Sequence, residues 1–407
     1  MLTASHGNNY AKNLALFGAL CLFLSAAEYM IPKPLPFMRV GLSNLPVMLA
    51  CDIFPLRAFL VLICVKILGQ ALITGTLFSY IFLFSMAGTL LSALLMFILR
   101  RALKNRISFT GIGTAGALIS NISQLTLAYY FIFGENIRFI TPVFLTAGLL
   151  TGIALGVFCE IFAGRSSWYK NIKSGHESAE KNIINYEKIK VSFYPAKSAD
   201  KREQAVLKGW RKRALDFYDS ISAKDMFIAG FFMLSAVIFN PSTKYRVIQF
   251  LFFLLLVFLS GKRVNLFITF FVTIFIIVFN LLIPYGQVLF SAGIFKITKG
   301  ALEAGVHRAF TLQALIMLSK LTIKKDLKLP GTFGILLSES LVIFSALMSE
   351  KPRLNKGNII KNIDNIIKNL DHEEINLSRS QEIRTKPYGF IILIIALLLS
   401  WLPWLFL

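Results

Sequence analysis

Apolar runs long enough to cross a bilayer recur along the chain in two blocks, with a polar stretch between them. A bilayer core asks for about twenty apolar residues per helix, within a range of about 17 to 25. On that ruler the first block predicts spans near 14–30, 42–54, 56–73, 76–99, 112–133 and 140–163, the second of them short and interrupted by Pro46. The second block predicts spans near 226–240, 245–260, 264–284 and 300–320, with a last one at 388–407. Segment 331–348 is apolar enough to insert but carries Ser338 and Glu339. If it crossed, the Lys-rich stretch 351–386 would lie outside, against the rule that cationic loops stay in the cytoplasm, so a re-entrant or cytoplasmic helix is expected. The chain therefore reads as an all-α polytopic membrane protein: a six-span module at 1–163, a linker at 164–225 and a second membrane module at 226–407.

Loop charges predict the orientation. Arg100, Arg101, Lys104 and Arg106 follow the fourth span and a basic linker follows the sixth, whereas the 134–139 turn carries one Glu and one Arg. Six spans with both ends in the cytoplasm satisfy the rule, which implies a bacterial cytoplasmic (inner) membrane protein with its N-terminus inside. Lys12 ahead of an apolar run that ends in Ser25, Ala26 and Ala27 imitates a signal peptide, but polytopic sequence follows at once, so an uncleaved first span is expected. Within the linker, Leu207, Trp210, Ala214, Tyr218 and Ile221 recur at helical spacing with Lys208, Arg211, Lys212 and Arg213 between them. That pattern suits a basic amphipathic helix on the inner membrane face, or a solvated tether. Farther on, Ile359, Ile360, Ile363, Ile366, Ile367 and Leu370 form a 3.6-residue stripe in a helix near 350–378 that needs lipid or a protein as partner.

Composition supports lipid as the main solvent: 56% of residues are hydrophobic and Phe occurs 38 times, and the mean hydropathy is +0.67. The formal charge of +22 does not point to nucleic acid, because the basic residues avoid the apolar runs and collect beside them. Cys21, Cys51, Cys64 and Cys159 lie in or beside spans without CxxC spacing, and the four histidines are scattered, so packing roles are expected and no metal or cofactor.

Small residues mark faces for close helix contact. Ala15-x-x-x-Ala19 sits in the first span and Gly148-x-x-x-Gly152-x-x-x-Gly156 in the sixth, either as intramolecular seams or as a place where another module docks. Polar side chains inside the first block are the other signal, since they are costly in hydrocarbon and face a cavity or a partner. They are Glu28, Lys66, Gln70, Asn121, Gln124 and Glu160. Lys66 and Gln70 are four apart, and Asn121 and Gln124 three apart, so each pair shares a helix face. The loop Pro32-Lys33-Pro34-Leu35-Pro36, followed by Arg39 and Asn44, would cap a polar pocket for a small ligand with a polar or anionic group. Pairing of Lys66 with Glu28 or Glu160 for structure alone is the competing expectation.

Several chemistries are excluded. Gly111-Ile112-Gly113-Thr114-Ala115-Gly116 matches a dinucleotide fingerprint as a string but has no preceding strand and opens a membrane helix. Gly261-Lys262 lacks the glycine spacing of an ATP-binding loop. No Asp-Asp-x-x-Asp cluster occurs, although a prenyl-transfer site binding magnesium diphosphate calls for grouped carboxylates. No catalytic residue is assigned.

The first block, from Ala15-Leu16-Phe17-Gly18-Ala19 through Glu28, the Pro-rich loop and Gly41-Leu42-Ser43-Asn44-Leu45-Pro46, resembles the Gx transporter family, whose members are commonly labelled heptaprenyl diphosphate synthase component I. That family is similar to the six-helix substrate-binding (S) components of energy-coupling-factor transporters, in which an Ala-x-x-x-Ala face of the first helix packs on a transmembrane coupling (T) component. Ala15 and Ala19 fit that docking role. The second block resembles the T component, through Phe239-Asn240-Pro241-Ser242-Thr243-Lys244 and through Gly300 to Leu321 with Glu303, His307 and Arg308. The resemblance implies a fused S-plus-T protein. It would bind a vitamin-like or isoprenoid-related molecule through Glu28, Lys33, Arg39, Asn44, Lys66, Gln70, Asn121 and Gln124. It would couple to separate ATPases through Arg353, Ile363 and Ile367, in a region without the Ala-Arg-Gly triplet of T components. The family label implies instead a membrane partner for a soluble prenyl synthase in polyprenyl or quinone synthesis. A scaffold for other membrane complexes is the third expectation.

Overall fold

The computed structural model describes residues 2–30, 40–179, 218–262, 264–292, 295–324, 327, 330–349 and 384–403. Helices dominate these residues. The first block folds as α1 (Leu2–Met30), α2 (Leu45–Ile53), α3 (Leu56–Thr74), α4 (Tyr80–Leu103), α5 (Phe109–Ala128) and α6 (Ile137–Arg165). A further helix, α7 (Ser167–Ala179), follows at once. Among the described residues, five helices or joined helices are long and apolar enough to cross a membrane: Tyr10–Tyr29, Leu56–Thr74, Tyr80–Leu103, Phe109–Arg165 and Gly331–Met348. The chain is a multi-pass membrane protein.

Two expectations about the first block change. Pro46 does not interrupt a span; it stands in the first turn of α2, where its missing N–H is no loss. At nine residues, α2 rises only about 14 Å, roughly half the hydrocarbon core, and eight of those residues are buried. The segment 42–54 is therefore an internal half-helix, introduced by a 3₁₀ turn at Leu42–Asn44. Between α5 and α6, residues Tyr129–Phe133 form a π-turn and Gly134–Asn136 a 3₁₀ turn, with Gly134 at φ 55°. This reverses the chain so that α6 packs back along α5.

The second block contains α8 (Ala223–Ile238), α9 (Thr243–Leu259), α10 (Leu266–Asn280), α11 (Lys299–Thr322), α12 (Gly331–Ser349) and α13 (Pro387–Trp401). The expected span 264–284 is corrected. Its helix has only 15 residues and gives way to an antiparallel hairpin, Val288–Ala292 with Phe295–Thr298, that no helical periodicity announced. The helix at 300–320 is present but falls outside the apolar helices able to span. Instead α11 packs against α8, α9 and α10, burying Leu312, Leu315 and Leu318. The largest correction is α12. It is a full-length apolar helix packed along α1 and α3, and its Ile343 and Leu347 join the core of the first bundle. Ser338 and Ser340 donate to the carbonyls of Gly334 and Leu336 one turn back, which lowers the cost of their hydroxyls in an apolar helix.

Three apolar cores hold these layers. One joins α1–α6 with Trp168 and Tyr169 of α7 and with α12. A second joins α8, α9, α11 and α13. The third is shared: Phe84, Leu125, Ile132 and Phe144 from the first block meet Ile276, Ala309 and Leu312 from the second. Of the expected linker helix, residues 207–217 lie outside the described residues, while Tyr218 and Ile221 are buried in the second core and not at a membrane surface.

Candidate functional site

Gly41 starts the site. Its φ of 89° is open to glycine at little cost, and it turns the chain so that the backbone N–H groups of Val40 and Gly41 both donate to the Glu28 carboxylate, at 2.8 and 3.1 Å. The next turn presents Asn44, whose Oδ1 accepts from the Lys66 ammonium of α3. Glu28 and Lys66 are buried at 4% and 1% exposure, so each intramembrane charge is engaged at the base of the 40–44 turn.

Above that base lies a cavity of about 30 Å³ between α2, α4, α5 and α6, room for roughly two waters. Ser43, Asn44, Thr89, Ser120, Asn121 and Thr151 supply its polar lining, and Met48, Met96 and Leu155 part of its apolar wall. Asn121 donates from Nδ2 to the Phe144 carbonyl of α6 at 3.0 Å. Gln124 donates from Nε2 to Ser120 Oγ at 3.0 Å, and its Oε1, fully buried, has no partner among the described residues.

The glycines of the sequence explain why the cavity exists. A Cβ on Gly148 would fall 1.7 Å from Asn121 Nδ2, one on Gly152 2.8 Å from Ala117 Cβ, and one on Gly156 2.5 Å from Thr110 Cα. The α6 glycine stripe is thus a seam against α5 within the bundle, not a docking face. The dinucleotide-like string serves the same end: Gly113 lies against Gly152 and Gly156, and Gly116 against Met96 and Ser92.

Of the residues expected to bind a ligand, Asn44 and Asn121 line the cavity, Glu28 and Lys66 stand behind it, and Gln124 reaches it through Ser120. Gln70 is buried one turn beyond Lys66 but is not in the lining. Lys33 and Arg39 lie outside the described residues, as do Arg353, Ile363 and Ile367. Glu160 is exposed on α6 and accepts from Thr110 Oγ1 at 3.1 Å. Ala15 and Ala19 are fully buried on α1, the helix that α12 packs along. Thr89 and Ser120 were missed, although Ser85, Thr89 and Ser92 recur at helical spacing in an otherwise apolar helix.

At the end of the bundle where the basic residues gather, Asp52 of α2 holds Arg100 at 2.5 and 2.7 Å and Lys173 at 3.4 Å. Tyr169 donates to the same carboxylate at 3.4 Å. Burial first, and then the Asp52 charge, push the Tyr169 hydroxyl up, so it remains a donor at any physiological pH.

A second polar junction ties the two blocks. Asn280 of α10 donates from Nδ2 to the Ile132 carbonyl at 3.1 Å, a carbonyl within the π-turn, and its Oδ1 accepts from Arg308 of α11 at 2.7 Å. Phe78 N donates to Ser319 Oγ of α11 at 3.0 Å. The second block therefore grips the end of α5, the helix that carries Ser120, Asn121 and Gln124.

Residues 17–162 match the family model described as heptaprenyl diphosphate synthase component I. The first bundle is similar to that family. The match runs from within α1 to within α6, so the component I bundle contains the whole cavity lining, whereas Ala15 precedes it. Residues 225–325, covering α8 to α11, match a domain of unknown function. The helix α12, which leans on the component I bundle, lies outside both stretches. No curated protein and no solved structure matches the chain.

Proposed function

We propose that the chain is a two-module, non-catalytic membrane component that holds a small molecule in the hollow of its component I bundle and serves a soluble prenyl synthase. The observation that carries this reading is the polar hollow itself, on a helix whose end the second module grips through Asn280 and Arg308. Polar lining at membrane depth that the protein itself satisfies only in part is costly unless something uses it. The family description supplies the association with heptaprenyl diphosphate synthesis. Among the described residues no three His, Cys, Asp or Glu side chains gather, so the grouped carboxylates for magnesium diphosphate would come from the partner. Purified full-length chain added to a soluble prenyl synthase is expected to raise its rate or product length and to co-purify with it. No effect and no co-purification would end this reading.

One observation favours energy-coupled transport instead. The helix α12, from the block that resembles a coupling component, lies along the α1 and α3 surface containing Gly18 and Gly69. In that reading the component I bundle tilts to carry its ligand while the second block relays movement from separate ATPases. ATP-dependent uptake of labelled ligand into vesicles holding chain and ATPases supports it; binding without such uptake removes it.

A further inference from the structure

We propose that the hollow selects an uncharged head group bearing hydroxyl or amide functions, and rejects a diphosphate. The inference rests on the reading that the hollow is a ligand site, and it names the ligand class.

The lining of the hollow contains no charged side chain among the described residues. Its two nearest charges are already engaged: Lys66 donates to Asn44 Oδ1, and the Glu28 carboxylate accepts from Val40 and Gly41. What faces the hollow is a mixture of donors and acceptors. Asn44 spends its oxygen on Lys66 and keeps its Nδ2 hydrogens, so it is a donor. Asn121 spends its Nδ2 on the Phe144 carbonyl and keeps its Oδ1, so it is an acceptor. The hydroxyls of Ser43 and Thr89 have no partner among the described residues and can do either. Behind Ser120, the buried Gln124 Oε1 is another acceptor without a partner there.

A diphosphate is acceptor-only and multiply charged, so it needs converging donors and cations. Here it would meet the Asn121 oxygen, leaving acceptor facing acceptor in a medium of low dielectric. A hydroxyl or amide both gives and takes, and each such group satisfies one donor and one acceptor of the lining. The volume agrees, since about 30 Å³ admits a head of this size and not two phosphates.

The test uses the full chain in lipid nanodiscs with tritiated farnesol and tritiated farnesyl diphosphate, which share a tail and differ in the head. Empty nanodiscs correct for partition into lipid. Farnesol is expected to bind saturably and at least about tenfold more tightly than the diphosphate. Thr89→Val, which keeps the shape and removes one hydroxyl, is expected to weaken it about fivefold, the loss of one hydrogen bond. Ser120→Ala is a second variant should Thr89→Val fail to fold. Tighter binding of the diphosphate, weakened by Lys66→Gln, overturns the inference and leaves the site reading intact. Saturable binding of neither probe, or binding indifferent to both hydroxyl variants, overturns the site reading and the inference with it.

Discussion

Gly156 and Gly164 lie two turns apart on α6, and substituting each by alanine is expected to change stability in opposite directions. Alanine in a helix interior is favoured over glycine by up to about 1 kcal/mol. At Gly164 the added methyl meets nothing within 4 Å, so that gain stands uncontested. At Gly156 the same methyl falls 2.5 Å from Thr110 Cα and 2.9 Å from the Phe109 carbonyl oxygen. Both are backbone atoms, so no rotamer change relieves the clash, and α5 must move away by about 1 Å to restore an ordinary contact. Overpacking of this kind costs about 1–3 kcal/mol and more where backbone must shift. The net expectation is a loss of about 1–2 kcal/mol at Gly156 and a gain of up to about 1 kcal/mol at Gly164. Thermal unfolding of the two variants in nanodiscs reads this as midpoints on either side of the parent, a few degrees apart. Equal midpoints, or a more stable Gly156→Ala, would refute the claim that the glycine stripe is the seam closing the cavity.

Three further outcomes are expected. Asn280→Leu strands the Ile132 carbonyl and the Arg308 guanidinium together, and should cost roughly 1.5–3 kcal/mol in unfolding, with faster proteolysis within the 129–136 turn; unchanged proteolysis would count against that junction. Asp52→Asn keeps the size of the side chain but removes the charge that holds Arg100 and Lys173, and should lower stability by about 1–3 kcal/mol at low salt; an identical midpoint would show that the cluster adds nothing. A Cβ built on Gly18 lies 3.3 Å from Ser340 Cβ, close to the roughly 3.5–4.5 Å of a disulfide. Gly18→Cys with Ser340→Cys, in a chain cleared of its four native cysteines, should therefore cross-link under mild oxidant, and failure to do so would contradict the seating of α12.

Much of the first bundle was legible because each of its long helices is continuously apolar and bounded by turn or basic residues. The short α2 was harder, since an apolar run of nine buried residues looks the same whether it crosses the bilayer or ends inside the protein. In the second block the hydropathy ruler overcounted at α11, whereas it read α12 as apolar enough to insert and the loop-charge rule argued the other way. The helix α11 is long but polar enough to need burial among its neighbours, and α12 hides Ser338 and Ser340 in its own backbone hydrogen bonds. The hairpin at 288–298 was invisible for a different reason: four- and five-residue strands leave too short a record beside an apolar helix.

At the site, the intramembrane polar rule pointed to Glu28, Lys66, Asn121 and Gln124, because charge and amide in hydrocarbon are conspicuous, and the Pro-rich loop led to Asn44. The rule passed over Thr89 and Ser120, since small hydroxyls are common in membrane helices, where most bond a carbonyl of their own helix, and the spacing did not set these two apart from the others. Nor did spacing reveal which end of Asn44 or Asn121 faces the hollow. That depends on Lys66 and on the Phe144 carbonyl, both distant in sequence, and it decides between an anionic and a neutral ligand.

Native mass spectrometry of the full chain taken from its own membrane tests the central claim most directly. A neutral small molecule should travel with the protein and be lost from Thr89→Val and Asn121→Leu, whereas bare protein in every case, or a bound mass indifferent to both substitutions, would contradict it.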